Sequence, residues 1–181
     1  MHIATVLPKK RFLTVAKPDM NLVFAPSFFK VEDGWFTVPR LADIVSDIHK
    51  SWPDCAITLS VGEMEHDAYQ TLFDAGADRY LLRHETYDDA HYRMLHPASL
   101  SALHRQNCLW DLKSIGYQIG TGFMVGAPFQ TTENLADDML FLKELNPHMV
   151  GIGPFIPHHD TQFAEKSYRE QLLPEGGLLA A

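Results

Sequence analysis

Asp78-Arg79-Tyr80-Leu81-Leu82-Arg83-His84-Glu85-Thr86 reads as a short strand that ends in charge. Side chains alternate across a strand, so Leu81, Arg83 and Glu85 share one face, and Tyr80, Leu82 and His84 share the other. An arginine and a glutamate two apart on one face of a largely apolar strand need a reason. Either they satisfy each other and their neighbours as a structural pair, or they await a polar ligand at the strand's C-terminal end.

The flanking segments repeat one theme. Before this strand, Thr37 is placed to cap a helix with Pro39 in its first turn, and Leu41, Ile44, Val45 and Ile48 recur at helical spacing. Pro53 stops that helix, and Ala56–Val61 alternates as a strand. Gly62-Glu63 turns into a second helix with Ala68, Tyr69, Leu72 and Phe73 on one side, closed by Gly76. After the strand, Asp88–Leu95 reads as a short helix with a break at His96-Pro97. A longer helix from about Ser101 to Ile115 buries Cys108, Leu109, Leu112 and Ile115, and Gly116 ends it.

Gln118–Val125 is the next strand, and Gly126-Ala127-Pro128 turns. Thr131 or Thr132 caps a helix with Leu135, Met139 and Leu142 inward, Pro147 stops it, and His148–Gly153 forms a last strand. Residues 1–36 show no clean period, with Met20–Ala25 a doubtful strand. A helical stretch near Phe163–Leu173 precedes a fraying tail. Strand and helix thus alternate, which predicts an α/β fold with a parallel sheet of about five strands and right-handed crossovers. A complete eight-unit barrel needs about 250 residues. With 181 residues, the chain is expected to form an open sheet or part of a barrel.

The strand faces carry a second signal. Ala56, Thr58 and Ser60 share one face, opposite Ile57, Leu59 and Val61. The equivalent small faces elsewhere are Gly120 and Gly122, ending in Met124, and Gly151 with Gly153. Barrel interiors are normally filled by Val, Ile and Leu. A roomy, partly polar interior instead predicts a ligand cavity at the strands' C-terminal ends. The alternative is that these glycines allow close backbone packing.

Composition removes several function classes. A formal charge of −8 with no long basic run disfavours phosphate-driven nucleic-acid binding. No apolar run reaches membrane-spanning length, and the N-terminus lacks the pattern of a secretory signal. Two cysteines, Cys55 and Cys108, indicate no disulfide framework and a cytoplasmic setting. Gly120-Thr121-Gly122 lacks the spacing of a dinucleotide fingerprint, and no serine-hydrolase elbow is present. His158-His159-Asp160 reads as a polar loop, His91 and His96 as surface residues at a helix end, and Cys108 as an inert core thiol. What remains is Arg83 and Glu85 with Arg105 early in the following helix, a set able to hold a zwitterionic or carboxylated ligand. On composition alone an internal ion-pair network stands level with that reading.

Four runs add a resemblance: Ile57–Glu63, Ala75–Thr86, Gly122–Thr131 and Met149–His158, the last with the phrase Met-Val-Gly-Ile-Gly-Pro-Phe-Ile-Pro-His. Together they resemble the radical S-adenosylmethionine family, in its biotin synthase-like group and on the side of the FeFe-hydrogenase maturases of the HydE type. The resemblance covers roughly Asp33 to Ala164. It sets residues 1–32 apart as an irregular segment, makes 33–164 a partial (β/α) barrel, and leaves 165–181 as a C-terminal helix and tail.

The resemblance implies a 4Fe-4S cluster and S-adenosylmethionine at the C-terminal ends of the strands. Reductive cleavage to a 5′-deoxyadenosyl radical would serve assembly of the hydrogenase active-site cofactor. Arg83, Glu85 and Arg105 would contact S-adenosylmethionine, and Met124 and Pro154 would line its adenosine part. Ser60 would face the cofactor, and Thr58 and Gly122 the substrate. The implied partners are a small iron-containing or amino-acid-derived substrate and hydrogenase maturation proteins.

The departures are specific. Family members hold the cluster with a Cys-x-x-x-Cys-x-x-Cys loop, which is absent here. Phe29-Lys30-Val31-Glu32-Asp33 has Val where the family keeps Gly. The first βα unit and the barrel beyond about Ala164 are missing, as in a truncated or frame-disrupted copy. Without cluster thiolates the 181 residues are expected to be inactive by themselves. The alternatives are a remnant or binding module with a residual S-adenosylmethionine cleft, another biotin synthase-like radical enzyme, and a chain that does not fold stably alone.

Overall fold

The computed structural model describes residues 22–24, 37–157, 160 and 162–164. It divides into two compact units: one holds the described residues of Met1–Leu82 with Asn107–Gly120, the other those of Arg83–Gln106 with Thr121–Ala181.

The first unit is built on parallel strands. β1 (Leu22–Phe24), β2 (Ile57–Leu59), β3 (Arg79–Leu81) and β4 (Gln118–Thr121) follow one another in the sheet in that order. Leu22 pairs with Ile57, Thr58 with Arg79, and Tyr80 with Ile119, all parallel. Helices make the crossovers, as parallel pairing requires. α1 (Val38–Ser51) starts after Thr37 with Pro39 in its first turn, and it buries Leu41 and Val45. α2 (His66–Asp74) buries Tyr69 and Leu72. Gly76, at φ +111, follows it where any other residue would need a strained left-handed backbone. A Cβ there would also come within 2.7 Å of the His49 ring.

The core of this unit is aromatic as well as aliphatic. Tyr69 and Tyr117 each meet Tyr80 edge to face, with ring centroids 5.1 and 5.6 Å away. Such pairs contribute about 0.5–1.5 kcal/mol each beyond the area they bury. Each hydroxyl finds a partner: Tyr80 donates to Gly62 O (2.8 Å), Tyr117 donates to Tyr69 O (2.9 Å), and Tyr69 Oη accepts from Met64 N (2.9 Å). Burial pushes all three phenols far above their ordinary range, so they remain neutral donors.

The second unit contains α3 (Asp89–Leu95), β5 (Met124–Val125), α5 (Thr132–Leu145), β6 (Met149–Val150) and β7 (Gly153–Pro154). α4 (Ala102–Ile115) begins in it and runs into the first unit. β5 and β7 pair in parallel, Met124 with Gly153 and Val125 with Pro154. Asp88 caps α3 by accepting from His91 N, and Thr131 with Asn134 forms a reciprocal capping box on α5.

Several expectations need correction. The single strand predicted over Gln118–Val125 is two strands, because Phe123 leaves β4 to bridge Glu85 before β5 turns to β7. The strand predicted over His148–Gly153 is likewise divided into β6 and β7. Met139 faces outward on α5, whereas Asp138, Phe141, Leu142 and Leu145 are buried. Those four stand at i, i+3, i+4 and i+7, one helical face whose first position is a carboxylate. His91 is fully buried and His96 is half-buried, so neither is the surface residue expected. His158-His159, most of the 163–173 stretch and most of residues 1–36 lie outside the described residues. No helix among the described residues is long and apolar enough to cross a membrane.

Candidate functional site

The strand that ends in charge keeps its alternation past β3. Tyr80, Leu82, His84 and Thr86 are buried, while Leu81, Arg83 and Glu85 are half-buried. The two charged residues do not pair with each other. Arg83 Nη2 donates to Gly151 O at 3.1 Å, and a Cβ on Gly151 or Gly153 would lie 3.7–3.8 Å from the guanidinium. A small side chain at either glycine would thus sit in ordinary contact with the Arg83 head. Arg105 Nη1 donates to Arg83 O (2.8 Å) and Nε to Tyr92 Oη (3.2 Å), so this second guanidinium holds the strand's backbone.

Glu85 sits at a local singularity. Its φ is +67°, and Thr86 N donates across it to His84 O at 2.9 Å. That i-to-i+2 bond with positive φ makes a γ-turn of the strained kind. A non-glycine residue in this region costs of order 1–3 kcal/mol and persists only where its surroundings over-determine it. The Glu85 amide donates to Gly122 O (3.1 Å), whereas its carboxylate makes no hydrogen bond or ion pair with another described residue. Gly122 itself is there for space: a Cβ would stand 1.9 Å from Gly151 O. At that position the glycine serves close backbone packing.

Behind Glu85 lies a buried polar frame that sequence reasoning missed. The Thr121 hydroxyl accepts from His84 N (3.2 Å) and meets His84 Nδ1 at 3.0 Å. His84 Nε2 faces Asp138 Oδ1 at 3.3 Å without the angle of a hydrogen bond. Asp138 Oδ1 accepts from Tyr87 N at 2.6 Å. His91 Nε2 donates to Pro128 O and its Nδ1 meets the Thr86 hydroxyl, both at 3.0 Å. Beyond it, Gln130 clamps the end of β5, donating to Met124 O and accepting from Gly126 N at 2.7 Å each.

Met124 and Pro154 stand on β5 and β7, half-buried and exposed. The second unit therefore brings Arg83, Glu85, Arg105 and Gly122 into one bonded neighbourhood and holds Met124 and Pro154 on its own strand pair. Thr58 and Ser60 belong to the first unit, Thr58 buried on β2 and Ser60 half-buried just after it.

An iron–sulfur cluster is a poor fit to the residues present, because clusters are held by sets of thiolates. The chain has only Cys55 and Cys108, both buried. Cys108 donates to Met64 O at 3.8 Å, and burial pushes its thiol up, as an inert core thiol requires. Among the described residues no group of His, Cys, Asp or Glu is placed to hold a metal ion.

Comparison with known proteins bears on the fold and kinship of the chain. The chain is 50% identical over 135 residues to the [FeFe] hydrogenase maturase subunit HydE of Thermotoga maritima, a match over 75% of this chain and 38% of that protein. It thus spans well under half the length of that relative. Methylornithine synthase (PylB) superposes with a TM-score of 0.67 at 23% identity, over 76% of this chain and 39% of that one. Coproporphyrinogen III oxidase (HemN) from Escherichia coli, a radical SAM enzyme, gives 0.59 at 17% identity over 75% and 31%. No protein-family model matches. The parallel βα repeats are thus a partial (β/α) barrel of the radical SAM type, and the chain is a HydE-like member of the radical S-adenosylmethionine family.

Proposed function

We propose that this chain supplies the S-adenosylmethionine-binding part of a HydE-like radical enzyme that serves assembly of the FeFe-hydrogenase active-site cofactor. The observation that carries the reading is Glu85, a carboxylate set on a strained γ-turn with no partner of its own among the described residues. Ionised, it accepts only, and S-adenosylmethionine offers an ammonium and ribose hydroxyls to accept from. Arg83 supplies a guanidinium beside it. Arg105 acts by holding the Arg83 backbone as well as by its charge. Met124 and Pro154 present apolar surface suited to the adenosine, and Gly122 keeps the strand ends close. For Thr58 and Ser60, facing the substrate and cofactor rests on the sequence resemblance. The substrate, a small iron-containing or amino-acid-derived molecule, and the maturation partners follow from the same kinship.

Titrating S-adenosylmethionine calorimetrically into the full chain and into Glu85→Gln tests the cofactor. A loss of about tenfold or more is expected for the removal of one charged partner. Equal affinities would take Glu85 out of the site.

Cluster chemistry does not belong to these residues alone, so the isolated chain binds cofactor without cleaving it. Anaerobic reconstitution with iron and sulfide, followed by iron and sulfide analysis, is expected to leave no stoichiometric cluster. A full 4Fe-4S complement would overturn that part of the reading.

A further inference from the structure

We infer that Asp138, with the His84–Thr121 and His91–Thr86 couples, acts as a positioning device that fixes where the Glu85 carboxylate points. The inference rests on the cofactor reading for its ligand, but its geometry stands by itself. His84, Thr86 and Tyr87, the residues around Glu85, are each tied by a buried side chain. Thr121 takes the His84 amide and ring, His91 takes the Thr86 hydroxyl, and Asp138 takes the Tyr87 amide while facing the His84 ring. Only the Glu85 side chain is left out of this frame.

Asp138 is fully buried on α5, and its second oxygen, Oδ2, has no hydrogen-bond partner. A buried carboxylate with one oxygen unsatisfied is costly, and an apolar residue of similar size fits the helical face of Phe141, Leu142 and Leu145. A carboxylate set at such a cost, with its other oxygen on the Tyr87 amide beside Glu85, is placed to do positional work. Here that work is over-determining a γ-turn which the Glu85 backbone would otherwise relax. The turn orients the carboxylate toward a ligand's cationic or hydroxyl donors, and the frame behind it removes the entropy of searching for that pose.

The test is a double-mutant cycle on S-adenosylmethionine affinity in the full chain, with Asp138→Asn and Glu85→Gln. The asparagine side chain would retain an acceptor for the Tyr87 amide and lose the charge facing His84. Asp138→Asn is expected to weaken binding roughly five- to tenfold in the native background and to add little in the Glu85→Gln background. Full additivity, or unchanged affinity in the first comparison, would overturn the proposal. Thr86→Val, which removes only the hydroxyl on His91, gives the same pattern and stands in if Asp138→Asn does not fold.

A second readout needs no ligand. Amide exchange at Thr86 and Tyr87 is expected to speed up at least tenfold in Asp138→Asn, relative to amides of the first unit. Unchanged protection there would overturn positioning whatever the ligand. Absence of S-adenosylmethionine binding by the unmodified chain, with the exchange difference present, would instead sink only the cofactor reading.

Discussion

The two units solve the same folding problem with different materials. In the first, the described positive-φ positions are glycines, Gly62, Gly76 and Gly116, and the buried polar groups include Thr58 and tyrosine hydroxyls bonded with the backbone. In the second, positive φ falls on Glu85, Phe129 and Asn146 as well as Gly126, and the interior holds His84, His91, Thr121, Gln130 and Asp138. Asn146 is an ordinary left-handed helix cap. Glu85 and Phe129 are not caps, and each lies next to a residue of the buried polar frame: His84 and Thr86 beside Glu85, Pro128 and Gln130 beside Phe129. Among the described residues, non-glycine positive φ and buried imidazole and carboxylate groups collect in the second unit, whereas the buried polar groups of the first are mainly hydroxyls.

The largest effect that would test this contrast comes from two glycines. Gly122→Ala drives a Cβ onto a backbone oxygen that cannot move aside, and is expected to cost about 4 kcal/mol or more in urea unfolding. Gly62→Ala meets nothing within 4 Å and pays only for its φ of +91°, about 1 kcal/mol. Equal losses would mean that Gly122 owes its presence to conformation rather than to packing. Next comes Tyr117→Phe, which removes the 2.9 Å side-chain hydrogen bond to Tyr69 O in the first unit and is expected to cost about 1 kcal/mol with no change in S-adenosylmethionine affinity.

Glu85→Gly has the opposite signature. Relief of the left-handed strain, about 1–3 kcal/mol, exceeds the added chain entropy of glycine, about 0.5–1 kcal/mol. The variant is expected to be about 1 kcal/mol more stable while losing cofactor affinity. A destabilised Glu85→Gly would show that the turn is not strained in the way its φ implies.

The smallest effect concerns pH. Burial pushes the His96 imidazole below its ordinary value, and the charges of Arg105 and His91 push it the same way. A base depressed by folding contributes fully while it is neutral. That contribution is lost as pH falls below the ordinary 6.5 toward the folded value, because the unfolded chain takes up the proton first. His96→Gln is therefore expected to lose less stability between about pH 7.5 and 5.5 than the unmodified chain. An equal loss would place the pH dependence elsewhere.

Much of this was legible along the chain because it depends on local period. Alternation over Arg79–Thr86 grouped Leu81, Arg83 and Glu85 on one face and Tyr80, Leu82 and His84 on the other, and the structure makes the first face half-buried and the second buried. Helical spacing and capping residues located α1 to α5 to within a residue or two, and Cys108 as a core thiol. The phase of α5 was also available: Asp138 with Phe141, Leu142 and Leu145 is one helical face, hidden only by the expectation that a carboxylate points outward.

Tertiary structure alone decided the rest. Whether Gly122 opens space or admits a backbone depends on Gly151, 29 positions away in sequence, coming into contact. That His91 is interior rather than surface depends on Pro128 O, and the pose of Glu85 depends on Thr121 and Asp138. Sequence by itself determined the elements, the faces and the kinship, since those follow from periodicity and residue type. Only the fold could pair distant groups, and pairing determines which polar residues can be buried.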